Sequence, residues 1–488
     1  MFRSRLTPLL CRVKTRTAAV DCNKRTLMKV AIEGCCHGEL DAIYAQIARL
    51  EQQNGYKVDL LLVCGDFQAI RNYQDLQCMA VPNKFKKLGG FHRYYTGEKQ
   101  APILTLVIGG NHEASNYMWE LYHGGWLAPN IYFLGFAGCV QVNGVRIAGL
   151  SGIYNKRHYK QGHFEHIPYD RDSLRSIYHV REYDIFRLSQ LTSPDIVLSH
   201  DWPLGIVRFG DGRDLIRRKP FFEAEIQTNT LGSPPAMQLL QKLKPTWWFS
   251  AHLHCKFEAT VAHGAAPQAS EAQPQTQDPP KMENPDEIII DDFDEELEEL
   301  STDAKAPKQN IDTSSTSKLP EADNNPDEIV LGDELDDVAQ PLPPPTETKF
   351  LALDKCLPRR QYLEVIEIPS AESPEIPKFM FDPEWLAITR ALHRYLSTTH
   401  MQPTLPDVAQ AADSIKQELD WVRQHVSDKN VQDCQSFWMT APGPSDPGSE
   451  GQNKFRQPNW FTNPQTEALC NMLGLDNKIN PKPREFSH

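Results

Sequence analysis

Short apolar runs alternate with longer polar stretches along most of the chain. Each run is rich in β-branched or aromatic residues and is bounded by glycine, proline or a polar residue, as buried strands are. The runs cover residues 30–32, 60–63, 103–108, 145–150, 195–198 and 246–249. Between the first two, apolar residues recur at spacings of three and four, as in an amphipathic helix: Leu40, Ile43, Tyr44, Ile47 and Leu50. The pattern predicts an α/β fold whose strands are buried between helices.

Breaks in this pattern divide the chain. Residues 264–346 are too polar to offset the entropy lost on ordering, which predicts a long disordered acidic insert. Strand-like residues 256–263 and 349–368 on either side are expected to pair as a hairpin, with the insert leaving from its tip. The expected segments are an N-terminal extension 1–27, a main α/β domain 28–263, the insert 264–346, a return strand 347–370, a small helical C-terminal domain 371–475 and a tail 476–488.

The charge is concentrated in the insert. The chain carries a net charge of −13, yet residues 281–340 alone hold 20 acidic residues and 4 lysines. The remainder has 47 basic and 44 acidic residues, a balance that permits nucleic-acid binding. There is no run of about 20 apolar residues, so no membrane partner is expected.

The first 27 residues are basic. Seven basic residues stand against one acid, as in a mitochondrial transit peptide. The alternative, which we favour, is an extension before an internal start at Met28, where a strand begins at once.

The insert contains a short repeat. The sequence Asn-Pro-Asp-Glu-Ile begins at Asn284 and again at Asn325, and each copy runs into aliphatic residues and then acids. Segments 288–292 and 329–334 thus look like SUMO-interacting motifs, in which a short strand adds to a sheet edge beside a basic patch. The alternative, to which we give more weight, is a solvated acidic spacer.

Five short polar clusters follow predicted strands, at the edge where open α/β sheets place their sites. They are residues 35–38, 65–66, 110–113, 199–201 and 251–254. Their imidazole, carboxylate, amide and thiol groups are donors that intermediate metals accept. A single cluster could be a turn, a helix cap or a buried small residue. All five in this order predict a metal site.

The order resembles the calcineurin-like metallophosphoesterase superfamily, whose pattern is Asp-x-His, Gly-Asp, Gly-Asn-His-Asp/Glu, a lone His and Gly-His-x-His. Residues 28–262 carry the resemblance, with Ala251 in place of the last motif's glycine and Cys35 in place of the first aspartate. The resemblance implies a β-sandwich flanked by helices and a dinuclear metal site.

The cysteine narrows the resemblance to the lariat debranching enzymes, whose opening is similar to Gly-Cys-Cys-His-Gly-Glu-Leu-Asp at residues 34–41. Residues 109–116, 149–154, 199–203, 249–254 and 381–386 are similar as well. The family implies hydrolysis of the 2′–5′ phosphodiester bond at the branch point of excised intron lariats. Branched RNA is then the expected partner, and the nucleus, with shuttling to the cytoplasm, the expected location.

The resemblance also implies the roles of individual residues. Asp66 would bridge two divalent cations; Cys35, His37 and His254 would complete one shell, and Asn111, His200 and His252 the other. The family implies Fe(II), Zn(II) or Mn(II), and the thiolate of Cys35 is a soft ligand that favours zinc or iron over magnesium. His112 would be the general acid for the leaving 2′-oxygen. The alternative is that His112 only orients the phosphate.

Substrate selection is expected from residues 152–183, a long irregular stretch in which basic and aromatic residues alternate. Basic groups contact phosphates and aromatic rings stack on unpaired bases. By resemblance this is the lariat recognition loop, and the candidate contacts are Tyr154, Lys156, Arg157, His158, Lys160, Arg171 and Arg175. The alternative is a surface loop followed by a helix whose aromatics pack inward.

Two other functions compete. One is a different phosphoesterase of the same fold, such as a protein phosphatase or a cyclic-nucleotide phosphodiesterase; Cys35 and the basic loop argue against it. The other is a non-catalytic RNA-binding scaffold; the complete ligand set with His112 argues against that.

Overall fold

A computed structural model describes residues 26–264, 346–371, 376–426 and 429–482 of the chain. The extension expected at residues 1–27 lies almost entirely outside this range, as do the insert and its repeats at 288–292 and 329–334. No helix of the described residues is long and apolar enough to cross a membrane.

Two mixed sheets form the centre of the described unit. The strands are β1 (Thr26–Glu33), β2 (Leu60–Val63), β3 (Thr105–Val107), β4 (Gly125–Ala128), β5 (Ile131–Phe133), β6 (Ala137–Val142), β7 (Val145–Leu150), β8 (Ile196–Ser199), β9 (Trp247–Ser250), β10 (Phe257–Ala262), β11 (Glu347–Ala352), β12 (Leu363–Ser370) and β13 (Phe379–Phe381). The first sheet has the order β12-β1-β2-β3-β5-β4 and the second β10-β11-β9-β8-β7-β6-β13. Strands β2, β3, β8 and most of β9 are buried, as their apolar sequences predict.

Helices connect the strands and form the C-terminal part. They are α1 (Leu40–Asn54), α2 (His92–Tyr95), α3 (Ser115–Glu120), α4 (Arg171–Ser176), α5 (Glu182–Leu188), α6 (Gly212–Arg218), α7 (Phe222–Thr228), α8 (Pro234–Leu243), α9 (Pro383–Leu392), α10 (Val408–His425), α11 (Val431–Cys434) and α12 (Pro464–Leu473). The predicted first helix buries Leu40, Ile43, Tyr44 and Ile47 and ends at Gly55, which adopts the left-handed conformation. The expected α/β sandwich flanked by helices is confirmed.

The prediction of a single return strand over residues 347–370 is wrong. The structure has two strands there: β11 pairs with β9 and β10 in one sheet, and β12 pairs with β1 in the other. The reason is a turn between them, in which Pro358 is followed by Arg359 at a positive φ of 65°. The chain therefore crosses from one sheet to the other at this point.

Candidate metal centre

The polar clusters meet at one end of the two sheets. Cys35 and His37 follow β1, Asp66 follows β2, Asn111 and His112 follow β3, His200 follows β8, and His252 and His254 follow β9. Because β1, β2 and β3 are parallel to one another, as are β8 and β9, their carboxyl ends present these loops at common edges.

The first group of donors consists of Cys35, His37, Asp66 and His254. One ligand atom from each lies within 4.8 Å of all the others. The Nε2 atoms of His37 and His254 are 3.3 Å apart, and Nε2 of His37 is 3.7 Å from Oδ2 of Asp66. That oxygen is buried and receives no hydrogen bond from the described part of the chain. Thiolate, imidazole and carboxylate converging in this way fit a divalent cation such as zinc or iron.

The second group shares the same carboxylate. Nε2 of His200 is 3.4 Å from Oδ1 of Asp66 and 3.2 Å from Oδ1 of Asn111. The ring centroids of His252 and His200 are 5.0 Å apart. The backbone N–H of His252 donates to Sγ of Cys35 at 3.1 Å. Asp66 thus directs one oxygen to each group, as a carboxylate that bridges two cations does. All seven predicted ligands are brought together.

Neighbouring groups fix the orientation of these side chains. Nδ1 of His200 is 2.8 Å from the carbonyl oxygen of Cys64, to which it can donate, leaving the Nε2 lone pair for a metal. Glu113 accepts hydrogen bonds from the backbone N–H groups of Phe67, Gln68 and Gly110. This buried carboxylate therefore ties the Asp66 loop to the Asn111 loop. Glu113 stands in the Asn-His-Glu motif, but no feature of the sequence indicated this role.

The electrostatics favour the metal-binding forms of Asp66, His252 and His254. Burial alone would raise the pKa of Asp66, but His200 and His112 hold it well below its usual range. Burial lowers the pKa of His252 to about 3, with His200 adding to the effect. Burial and His37 lower the pKa of His254 well below its usual value. The centre therefore favours an ionised carboxylate at Asp66 and neutral imidazoles at His252 and His254, the forms that metal binding requires. Asp66 raises the pKa of His200 against the effect of burial, so a bound cation would have to displace a proton from His200.

Backbone strain is concentrated at the same place. His37, Asp66, His252 and His254 have positive φ angles of 44°, 46°, 65° and 47°. Left-handed conformations are uncommon for residues other than glycine and persist where the surrounding structure enforces them, often at functional sites. Close packing is needed too, since a Cβ atom on Gly110 would lie 2.1 Å from Oδ1 of Asp66.

His112 lies beside the ligands. Its backbone N–H donates to Oδ1 of Asp66 at 2.9 Å, and its half-buried ring has its centroid 5.7 Å from that of His37. It is not one of the four donors in the first group. The position is compatible with both expected roles, proton donation to the leaving group and orientation of the phosphate.

The predicted RNA-binding residues divide by exposure. Lys156, Arg157, Lys160 and Arg171 are exposed, whereas Tyr154, His158 and Arg175 are half-buried. The backbone N–H of Tyr154 donates to Asp201, which follows His200, and the ring of His158 stacks on that of His179 at 5.0 Å. The segment is also less irregular than expected, because helix α4 lies within it.

Other residues of this segment face inward, as the alternative interpretation expected. His163 contacts Asp184 at 2.9 Å, and Arg181 pairs with Glu165. Tyr169 and Tyr178 are buried in the core. Composition alone did not separate these structural residues from the exposed ones.

Comparison with known proteins agrees with this geometry. The family model for calcineurin-like phosphoesterases matches residues 28–256, and that for the lariat debranching enzyme C-terminal domain matches residues 345–478. The lariat debranching enzyme of Arabidopsis thaliana is 42% identical over 458 residues, which cover 93% of this chain and 88% of the relative. The lariat debranching enzyme of Schizosaccharomyces pombe is 40% identical, and the alignment covers 93% of this chain and 98% of the relative. The lariat debranching enzyme of Homo sapiens is also 40% identical, and the alignment covers 92% of this chain and 69% of the relative. The chain belongs to the lariat debranching enzymes, a family of calcineurin-like phosphoesterases.

Proposed function

We propose that the protein hydrolyses the 2′–5′ phosphodiester bond at the branch point of excised intron lariats, so that linear RNA is released for turnover. The observation that carries this proposal is the convergence of six donor side chains on the buried carboxylate of Asp66, beside an exposed basic segment. Family membership supports the same reaction.

Bound cations would neutralise charge on the phosphate and acidify the attacking water. Water attacks phosphorus in line, the bond from phosphorus to the branch-point 2′-oxygen breaks, and the phosphate remains on the 5′-carbon of the other nucleotide. The leaving 2′-alkoxide needs a proton, and we assign its delivery to the imidazole of His112. The hydrogen bond from the His112 backbone to Asp66 fixes this residue at the metal centre.

The donor set favours Fe(II), Zn(II) or Mn(II). Cys35 contributes a soft sulfur to the first group, which suits iron or zinc, whereas Asn111 contributes an oxygen to the second. A centre with one softer and one harder position can hold two different metals.

The exposed part of residues 152–183 is the proposed RNA contact. Lys156, Arg157, Lys160 and Arg171 have no carboxylate partner within the described residues, so their charges are available to phosphates. The half-buried Tyr154 and His158 would stack on unpaired bases, and Arg175 would add to the same surface.

Nuclear location is proposed because intron lariats arise where splicing takes place. The repeated aliphatic–acidic segments 288–292 and 329–334 support a SUMO-like partner, although both lie outside the described residues. Fusion of either segment to a carrier, followed by titration with SUMO, tests this partner directly.

The enzymatic proposal is tested with protein purified without oxygen and analysed for metals. Synthetic branched RNA, unbranched RNA of the same composition and a phosphopeptide are compared as substrates. We expect cleavage of branched RNA alone, with a 5′-phosphate on one product and a free 2′-hydroxyl on the other. Cleavage of the phosphopeptide alone would indicate another phosphoesterase. Absence of cleavage after loading with iron, zinc or manganese would indicate a scaffold.

A further inference from the structure

A second basic segment reaches the metal centre from the other side. Between Asp75 and Glu98 the chain has no acidic residue, and Lys84, Lys86 and Lys87 lie within this stretch. Lys84 and Lys87 are exposed, and Lys86 is half-buried.

The lysines lie between two anchored points. Ile70, Leu76, Met79 and Ala114 form a small buried cluster, against which Val81 and Leu88 pack. Ile70 belongs to the loop that carries Asp66, and Ala114 to the loop that carries His112. This packing fixes the segment between Val81 and Leu88, which we call the lysine loop, to both loops of the metal centre.

The lysine loop also ends at the rim of the centre. A Cβ atom on Gly38, the residue after His37, would lie 3.8 Å from the Cα atom of Gly89. Residues 152–183 approach elsewhere: the N–H of Gly152 donates to the carbonyl of Gly109, and that of Tyr154 donates to Asp201. One basic segment therefore adjoins the first donor group, and the other adjoins the second.

The ammonium groups of Lys86 and Lys87 have no carboxylate partner among the described residues. Within the described part of the chain no carboxylate oxygen lies within 4 Å of Nζ of Lys86 or Lys87, whereas Lys29, Lys57, Lys99 and Lys256 each pair with an acid. Burial lowers the pKa of Lys86. A half-buried cation without a counter-charge is costly, and a bound phosphate would supply that charge.

We infer that the lysine loop is a second RNA-binding surface, in which Lys84, Lys86 and Lys87 hold backbone phosphates of the substrate arm that leaves the centre beside His37. The inference rests on the proposed function. A branch-point nucleotide carries three RNA arms, which must leave the metal centre in different directions. Residues 152–183 adjoin only the second donor group, so without the lysine loop an arm that leaves beside the first group would have no phosphate contact.

The test is RNA binding by the full chain loaded with manganese, in a His112→Ala background so that the substrate persists. Three versions are compared: the parent, a triple Lys→Gln variant at 84, 86 and 87, and a control with Lys57→Gln, Lys416→Gln and Arg423→Gln, which removes three exposed charges elsewhere. Each phosphate contact on a single strand contributes about 0.7 to the slope of log K against log salt, so we expect that slope to fall by about 2 in the lysine-loop variant only. A triple Lys→Arg variant should retain the parent slope.

The substrates identify the arm. Three branched RNAs are titrated, each with a different arm shortened to one nucleotide. On the RNA whose shortened arm is the one held by the lysine loop, we expect the parent and the Lys→Gln variant to bind with equal affinity. An unchanged salt slope, or an equal loss on all shortened substrates, would overturn the inference. Because binding is measured without cleavage, failure of the wild-type chain to debranch RNA would count against the proposed function separately.

Discussion

The backbone of Gly65 lies directly against the imidazole of His200. A Cβ atom on Gly65 would lie 2.4 Å from Nδ1 of His200, and its φ of +109° already favours glycine. That nitrogen also approaches the carbonyl of Cys64 at 2.8 Å, so the ring is held between two successive backbone units of one loop. The position of the candidate metal ligand His200 therefore depends on a residue that has no side chain.

Replacing Gly65 with alanine is expected to displace the His200 ring and to remove its hydrogen bond. We expect metal affinity or debranching activity to fall by about 10–100-fold, as for other groups that orient metal ligands. Metal content per chain and cleavage of branched RNA are the measurements. The matched control is Gly55→Ala, where φ is also positive at +68° but nothing lies within 4 Å of the added atom. Equal metal content and activity in the two variants would contradict this account.

Replacing Cys35 with aspartate exchanges a soft sulfur for a hard oxygen. We expect the ratio of manganese-supported to zinc-supported debranching to rise, because carboxylates favour harder cations. Cys36→Ala is the control, since burial raises the pKa of the neighbouring Cys36 thiol and keeps it protonated. If the metal preference of Cys35→Asp equals that of the wild-type chain, sulfur does not contribute to the first donor group.

Replacing His112 with alanine separates its two candidate roles. Removal of a general acid is expected to lower the turnover of branched RNA by about 10²–10⁴-fold without changing metal content. A diester with a nitrophenolate leaving group needs no proton, so its hydrolysis should be nearly unaffected. The control is His425→Ala, on the exposed face of α10. Equal losses on both substrates would instead favour orientation of the phosphate.

Arg71 is fully buried between two acids and joins the main domain to the C-terminal part. It contacts Asp75 at 2.9 Å and Glu120 at 2.8 Å, and it donates to the hydroxyl of Thr440. Arg71→Met leaves two buried acids without their cation, so we expect a loss of about 3–5 kcal/mol in the free energy of unfolding.

Urea unfolding measures this loss, with Arg93→Met as the control. Arg93 is partly exposed and pairs with Glu98 and Asp41, and ion pairs at such exposed sites contribute little to the free energy of unfolding. Similar losses in both variants would mean that the buried network does not stabilise the junction.

Acid should weaken the fold through Asp184. Burial would raise the pKa of this carboxyl, but His163 and Arg187 hold it well below its usual range. Since the folded pKa is lower than the unfolded value of about 3.9, ionised Asp184 stabilises the fold above that pH, and the contribution is lost as pH falls through the folded pKa.

Asp184→Asn removes this contribution. The free energy of unfolding of the variant should be lower than wild type by about 3–5 kcal/mol near pH 7, and the difference should narrow below about pH 4. Asp420→Asn, at an exposed site, is the control and should show a small difference at every pH. A difference for Asp184→Asn that does not change between pH 7 and pH 3 would contradict the assignment.

The convergence of the candidate metal ligands could be predicted from sequence because of a simple geometric rule. Each ligand follows a buried strand, and parallel strands bring their carboxyl ends to one edge, so Asp66 and Asn111 had to lie close together. Short motifs at strand ends therefore carried most of the information about the centre.

The remaining features depend on contacts between distant segments. Glu113 accepts backbone N–H groups from another loop, and Arg71 bonds to Thr440, 369 residues later. No local pattern encodes such pairs. In residues 152–183 no repeating period indicates which side chains face inward, so the buried Arg181 and the exposed Arg157 looked alike.

The pairing of β1 with β12 has a consequence for biosynthesis. Leu363–Ser370 closes the first sheet, and the carbonyls of Asp354 and Tyr362 accept the N–H groups of Cys35 and Gly34. The ribosome must therefore translate both the insert and the residues after it before the Cys35 loop is complete. A premature stop codon within the insert would leave every predicted metal ligand encoded, yet the nascent product would lack the strand that holds the first of them in place.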